Sequence, residues 1–403
     1  MTRLQRPSTA PHARRRRLLT ALSLSPLLAG MPALAHANAS ACLAVTDWTS
    51  FVERHIQRDG RVIDFDTAEQ HSTSEGQSYG LFLALVHNDR STFDRVLRWT
   101  DLNLAAGKLA QRLPAWRWGR KADGGWGVLD ENPASDADLW IAYALLEAGR
   151  LWNEPGYKAL GRSVLSNATR EEIVSLPGLG RMLLPWPRSI AHGPLWRLNP
   201  SYLPLQLMRR FQQEDAHGPW REMADNTVRM LGVVAPRGFA PDWCAWSEKE
   251  QTFVADPEKS TVGGYDAIRV YLWAGMLHAQ DPARPQLLRA LHGPRTLLLQ
   301  SKPLPEFVDT DTGAARGRAP VGFAGALLPY LKAQGLQGPL GTQIARIRER
   351  APSPAQPASA PLPYYERMLL LFGQAWLDGR YAFDRAGELQ PNWRLLCPST
   401  QLA

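Results

Sequence analysis

The sequence predicts an all-α fold: a barrel made of two concentric layers of helices. Three observations predict it. About twelve segments with helical apolar spacing recur along nearly the whole chain. Some of them are apolar on every side and others on one side only, as inner and outer helices should be. No segment shows strong period-2 alternation, so strands are expected to be a minor component.

Taken in order, Trp48, Phe51, Val52, His55 and Ile56 follow the i, i+3, i+4, i+7, i+8 stripe of a first helix. Further helices are expected over about 75–89, 92–104, 136–152, 156–174, 201–215, 219–233, 265–279, 284–300, 322–335, 339–350 and 363–379. Leu139-Trp140-Ile141-Ala142-Tyr143-Ala144-Leu145-Leu146 has no polar face and belongs inside. Ile344 to Arg350, with three arginines, is amphipathic and belongs outside. Long connections rich in Trp, Gly and Pro run from Leu113 to Pro133 and from Leu176 to Pro200; loops of that length in compact domains are often functional. A short hairpin is expected near Phe239–Phe253. The Pro/Ala-rich stretch Ala351 to Pro363 reads as an exposed loop rather than a boundary, because helical spacing resumes after it.

Residues 1–39 read differently. Arg14 to Arg17 precede an apolar stretch from Leu18 to about Leu34, which exits through Ala33-Leu34-Ala35 and Ala37-Asn38-Ala39. A basic start, a short apolar middle and a small-x-small exit make a secretory signal peptide. Pro26, Gly30 and Pro32 interrupt the run and make it a poor membrane span. Residues 40–403 are then expected to form a single exported domain, periplasmic or secreted, with no membrane insertion after cleavage. Cys42 lacks the upstream leucine of a lipid-attachment site. In an oxidising compartment Cys42 and Cys397 could bridge the two ends, while Cys244 reads as a small buried hydrophobe.

The formal charge of +8 resembles a nucleic-acid signal, but six arginines and no acids lie in residues 1–39. The remainder carries only +2, so no phosphate-binding footprint and no nucleic-acid partner are expected. At 44% hydrophobic and 21% charged the chain is an ordinary globular protein, and three cysteines exclude a disulfide scaffold. There is no P-loop, no G-x-G-x-x-G after a strand, no H-E-x-x-H and no G-x-S-x-G elbow. Asp309-Thr310-Asp311-Thr312-Gly313 lacks the third acid and distal Glu of a calcium loop and reads as a polar turn. Nine scattered histidines show no ligand spacing, so neither metal nor cofactor is expected.

What remains is carboxylates set among aromatics and glycines. Glu75, in Ser72-Thr73-Ser74-Glu75-Gly76-Gln77-Ser78-Tyr79-Gly80, opens an apolar helix. It can be part of a helix cap, or a catalytic acid beside glycines that let something approach the backbone. Asp136 and Asp138 open a second buried helix but do not share a face, so one can serve structure while the other points into a cleft. Asp266 and Arg269 stand at i, i+3. They make either a structural ion pair or a base held ionised by a guanidinium. Fifteen tryptophans are many for this length; Trp116, Trp118 and Trp126 fall in one polar, Gly-rich loop and Trp196 in another. Exposed indoles beside carboxylates suit carbohydrate, because the apolar face of a pyranose packs on the ring.

Ala134-Ser135-Asp136-Ala137-Asp138, followed by Ile141-Ala142, Ala144-Leu145-Leu146, Ala148 and Trp152, resembles the signature of glycoside hydrolase family 8. Ser74-Glu75-Gly76-Gln77-Ser78-Tyr79-Gly80, Asn199-Pro200-Ser201-Tyr202 and Tyr265-Asp266-Ala267-Ile268-Arg269 resemble its other blocks, in the same order. Pro114 to Gly119 and Phe372-Gly373-Gln374 extend the likeness over essentially the whole mature chain. The resemblance implies an (α/α)6 barrel and inverting hydrolysis of β-1,4-glucan. It implies Glu75 as general acid, Asp266 as base and Asp136 as the carboxylate holding the sugar beside the scissile bond. It also implies Tyr202 and Arg269 as residues that position water and base, and a functional association with cellulose synthase machinery. Xylan, mixed-linkage glucan and chitosan are the alternative substrates among related members. A polysaccharide lyase using Tyr202, or a non-catalytic glucan binder, fits the three acids less well.

Overall fold

Thirteen α-helices run through the described residues: α1 (Trp48–His55), α2 (Ser74–Val86), α3 (Arg90–Leu104), α4 (Ser135–Leu151), α5 (Pro155–Glu172), α6 (Leu205–Glu214), α7 (Trp220–Val234), α8 (Ala267–Met276), α9 (Arg284–Ala290), α10 (Gly293–Leu299), α11 (Val321–Ala333), α12 (Gln337–Arg348) and α13 (Tyr364–Leu377). The structure, a computed structural model, describes residues 48–187, 191–350 and 362–394. All lie in the compact unit Ser40–Ala403. The expected leader, Cys42 and Cys397 fall outside the described residues. None of the described helices is long and apolar enough to cross a membrane.

Six helices, α2, α4, α6, α8, α11 and α13, pack side to side in that order, and α13 returns against α2 to close a ring. Each carries an outer partner: α3 on α2, α5 on α4, α7 on α6, α9 on α8, α12 on α11 and α1 on α13. This is an (α/α)6 barrel, the all-α double layer that the periodicity predicts. The segment Leu139–Leu146, read as apolar on every side, lies in the inner helix α4, and α2, α8 and α11 likewise bury nearly every residue.

The barrel axis is filled by aromatic rings. Phe82 of α2 stacks on Phe372 of α13 at 5.3 Å and meets Trp140 of α4 edge-on at 4.9 Å; Trp140 lies 5.2 Å from Trp273 of α8. Burying each such ring contributes on the order of 1.5–3 kcal/mol. The hairpin Tyr381–Phe383/Leu389–Pro391 plugs one end, with the Tyr143 hydroxyl donating to the Gly387 carbonyl at 2.8 Å. A buried ion cluster ties that plug to the barrel. Glu147 accepts from Arg150, from Arg210 and from the Leu389 amide. The N-terminal ends of α2, α4, α8 and α13 face the opposite end, which is therefore free for a site.

The strands are more numerous than the sequence suggests: fourteen short ones in five small antiparallel sheets among the described residues. The expected hairpin near 239–253 lies at Cys244–Ser247/Thr252–Ala255 and extends into a four-stranded sheet through Leu195–Leu198. The stretch 113–133 holds a second hairpin, Arg117–Arg120/Trp126–Asp130, and Ile173–Leu176 pairs with Gly180–Leu183. Strands of two to five residues are too short for alternation to register. The expected helix over 284–300 is two helices, parted at Leu291-His292 where Pro294 starts α10.

Close approach of inner helices depends on small residues. A Cβ on Gly373 would sit 1.9 Å from the Gly325 carbonyl oxygen, where α11 meets α13. Gly341, in contrast, sits on α12 with open space around it. Gly373→Ala should therefore lower stability by about 1–3 kcal/mol through overpacking. Gly341→Ala should raise it by about 0.5–1 kcal/mol, because alanine is the better helix former. Urea midpoints of the two variants check both signs, and equal shifts would show that the α11–α13 contact has room to relax.

Candidate active site

The site is assembled where inner helices begin. Thr73, not Glu75, caps α2: its hydroxyl oxygen accepts the Gly76 amide at 3.0 Å. Glu75 is half-buried at the helix start, where its carboxyl has only local, uncharged donors among the described residues: its own amide, the Thr73 hydroxyl and, at 3.4 Å, the Ser74 hydroxyl. The group that approaches Gly76 is the protein's own Tyr364, whose hydroxyl would lie 2.7 Å from a Cβ there. Ser72–Thr73 pairs with Arg117–Trp118, and the Ser74 amide donates to the Trp116 carbonyl, so the Trp-rich hairpin is bonded directly to the segment carrying Glu75.

Asp136 is the second residue of α4 and only 1% exposed. One oxygen accepts the Ala137 amide at 2.9 Å, and the other faces the Arg269 guanidinium at 3.5 Å. Asp266 precedes α8 and keeps a third of its side chain exposed. Three donors converge on its oxygens: Arg269 at 2.7 Å, Trp243 at 3.1 Å and Asn199 at 3.2 Å. Arg269 is thus the common partner of both aspartates. It also donates to the Tyr79 hydroxyl at 3.2 Å and the Ser201 hydroxyl at 2.9 Å, and lies 5.8 Å from the centre of the Tyr202 ring.

Burial raises the proton affinity of Glu75, and the charge of Asp266 adds to it while Arg269 opposes. The helix dipole at the start of α2, which favours a charged carboxylate, is outweighed. Asp136 is pushed well up by burial and then by the charge of Glu75. Burial and the neighbouring acids hold Tyr202 well above the ordinary phenol range, so it is a neutral hydrogen-bonding group. A pocket of about 180 Å³ opens beside Glu75 and Arg269, lined also by Asp64, His71, Tyr364 and Tyr365 among others.

The four tryptophans stand in different surroundings. Trp118 stacks on Trp126 at 5.6 Å, meets Trp99 edge-on, and has the Arg61 guanidinium 4.4 Å from its centre. Much of its surface is therefore occupied, whereas Trp126 is exposed. Trp116 is half-buried beside Arg117, and Trp196 is half-buried with its indole donating to Glu248 at 2.5 Å.

Sequence reasoning missed two residues next to Asp266. Trp243 donates to its carboxylate. Asp242 supplies the cap that α8 lacks at its own N-cap: one oxygen accepts the amides of Gly264, Asp266 and Ala267 at 2.8, 3.0 and 2.7 Å. Burial, helped by the charge of Asp266, lifts its carboxyl to about 6. Neither residue carries a periodic signal, since both lie in a loop more than twenty positions before the helix that they serve.

The model for "Glycosyl hydrolases family 8" matches residues 26–379. An endoglucanase of Xanthomonas axonopodis pv. citri (strain 306) is 53% identical over 380 residues, 94% of this chain and 97% of that one. An endoglucanase of Escherichia coli (strain K12) is 43% identical, covering 88% of this chain and 92% of that one. The solved endo-1,4-D-glucanase of Vibrio fischeri ES114 superimposes with a TM-score of 0.80 at 39% identity, over 87% of this chain and 100% of that one.

Asp242→Ala should remove the cap under Asp266, lowering stability by about 1–2 kcal/mol, and Asp242→Asn, which keeps an acceptor oxygen, should recover most of it. Denaturant titration at pH 7 reads the difference; identical losses in both variants would exclude the capping role.

Proposed function

Since this chain belongs to family 8 of the glycosyl hydrolases, we propose that it is an exported endo-β-1,4-glucanase that cuts cellulose-type chains with inversion of configuration, serving bacterial cellulose synthesis. The observation that carries the mechanism is the contrast between two carboxyls around one guanidinium. Glu75 has a raised proton affinity and only uncharged local donors among the described residues, while Asp266 is solvent-reachable and held by three donors, one of them a guanidinium. The endoglucanase relatives support the substrate class, and the near-neutral charge of residues 40–403 suits an uncharged polysaccharide.

Glu75 gives its proton to the glycosidic oxygen as the bond from that oxygen to C1 breaks. Asp266 takes a proton from a water whose oxygen attacks C1 from the other face of the ring. The two carboxyls are then expected about 6.5–9.5 Å apart, leaving room for that water. Asp136 accepts from a hydroxyl of the sugar at the cut, and Arg269 orients both aspartates. Tyr202, a neutral phenol beside Trp243, positions the water. Trp116, Trp118 and Trp196 line the glucan path, with the apolar faces of sugars packed on whatever ring surface their neighbours leave open.

Reducing-end release from carboxymethylcellulose, xylan, lichenan and chitosan in parallel tests the substrate. Carboxymethylcellulose should be cut fastest, and a clear preference for xylan or chitosan would overturn the reading. Proton NMR of the first product should show the α-anomer; the β-anomer would demand a covalent intermediate instead. Glu75→Gln should reduce turnover of unactivated glucan by about 10²–10⁴-fold yet spare substrates with an activated aryl leaving group. Asp266→Asn should impair both alike. Near-normal cellulose hydrolysis by Glu75→Gln would reduce Glu75 to a structural residue.

Export has its own check. The protein recovered from the periplasm or medium should begin near residue 40 and carry no lipid; N-terminal sequencing that returns Met1, or a lipid-bearing Cys42 by mass spectrometry, would refute it.

A further inference from the structure

Behind Asp136 lies a pair of acids that the mechanism does not use. Asp138, in the first turn of α4, and Glu172, the last residue of α5, are both 0% exposed. None of their four carboxyl oxygens accepts from an amide, a hydroxyl or a basic side chain among the described residues. The charged groups that face them are Asp136 on α4, Glu171 on α5 and Glu75 on α2, and all are acidic. The only hydrogen-bonding partner that each side chain has is the other.

Two buried carboxylates without donors or cations would each bear a large desolvation penalty, and their mutual repulsion would add to it. A single proton between them removes one charge and gives the other a charge-assisted hydrogen bond. We infer that Asp138 and Glu172 share one proton, and that this bond is the clip that fixes the first turn of α4, making both of them positioning residues for Asp136.

The helix ends say which group holds the proton. Asp138 sits at the positive end of α4 and Glu172 at the negative end of α5, so the carboxylate belongs on Asp138 and the acid on Glu172. The O–H of Glu172 then donates to Asp138. Burial raises the proton affinity of both; at Glu172 the charge of Asp138 raises it further, whereas at Asp138 the bond from Glu172 works against the rise.

The backbone makes the same connection. The Glu172 carbonyl accepts the Leu184 amide at 2.9 Å, and the next carbonyl along that strand end, from Pro185, accepts the Ser135 amide at 3.0 Å. Asp136 lies between Ser135 and Asp138, so both ends of its short segment are tied to the α5 corner. The consequence for turnover rests on the role proposed for Asp136; the shared proton itself does not.

The test compares wild type, Glu172→Gln and Glu172→Ala. Infrared difference spectra at neutral pH, wild type minus Glu172→Gln, should contain the carbonyl band of a protonated carboxyl. The native state holds a proton that the unfolded chain releases above about pH 4–5. Wild-type stability should therefore decline as pH rises from 5 to 8, and the folding constant of Glu172→Gln should gain on it by up to about tenfold per pH unit. Glu172→Ala should lower kcat on glucan by about tenfold to a hundredfold, and Glu172→Gln, whose amide N–H still donates to Asp138, should recover most of it. A missing band, or parallel stability curves for wild type and Glu172→Gln, would overturn the shared proton even if both variants are active. A Glu172→Ala enzyme with wild-type kcat would overturn the positioning role. Loss of glucanase activity in wild type would instead refute the functional reading and leave the first two measurements standing.

Discussion

The Arg269 guanidinium is the interaction on which the site depends. It is buried, and its N–H groups reach Asp136 at one helix start, Asp266 just before another, Tyr79 in the second turn of α2 and Ser201 in the turn before α6. A buried cation of this kind is tolerated when countercharges are near and most of its donors are bonded; the two terminal nitrogens of Arg269 are bonded, while its Nε has no hydrogen-bond partner among the described residues. Here the countercharges are the groups proposed to act on the sugar. The same bonds that make the arginine tolerable therefore hold the two aspartates at a fixed spacing across the barrel mouth. A lysine offers a point charge rather than a planar fork and could not span the same four partners.

One cation among three acids also explains why those acids differ. Arg269 lies within 2.7 Å of Asp266 and 3.5 Å of Asp136, but makes no hydrogen bond to Glu75. At Glu75 desolvation outweighs the charge of Arg269, which still opposes it, and the charge of Asp266 adds to the rise. Unequal sharing of one guanidinium is what the proposed division into acid and base rests on.

The layered barrel was legible in the sequence because its cause is periodic. Helices such as Leu139–Leu146, apolar on every side, must be covered all round, and a closed inner ring with an outer layer does that. Glu75, Asp136, Asp138 and Asp266 were visible as acids that open or precede such helices, but spacing fits a cap or an ion pair as well, and their assignment to a site came from the resemblance to glycoside hydrolase family 8. What stayed hidden has no period. Asp242 and Trp243 act on Asp266 from a loop, and the Asp138–Glu172 pair joins helix ends 34 residues apart. Short rim strands such as Ser72–Thr73 exist because a neighbouring hairpin supplies the bonds, and two residues carry no alternation. The cap that the sequence offers at this helix start is present, with Thr73 at the N-cap and Glu75 in the first turn.

These facts divide the labour between the two kinds of element. Helix starts deliver the groups that must be placed to within a fraction of an ångström, because each is anchored by a packed turn and, at α8, by a distant carboxylate cap. The hairpins deliver aromatic surface, where a small shift of a ring changes little, since stacking on a sugar face has no sharp directional demand. Trp118 and Trp126, braced by Arg61, show how such a platform is stiffened without core packing. On the proposed roles, changing the polysaccharide would mean remodelling hairpins, while changing the reaction would mean disturbing the ring around Arg269. The first can proceed without loss of the fold; the second removes charges whose only justification for being buried is one another.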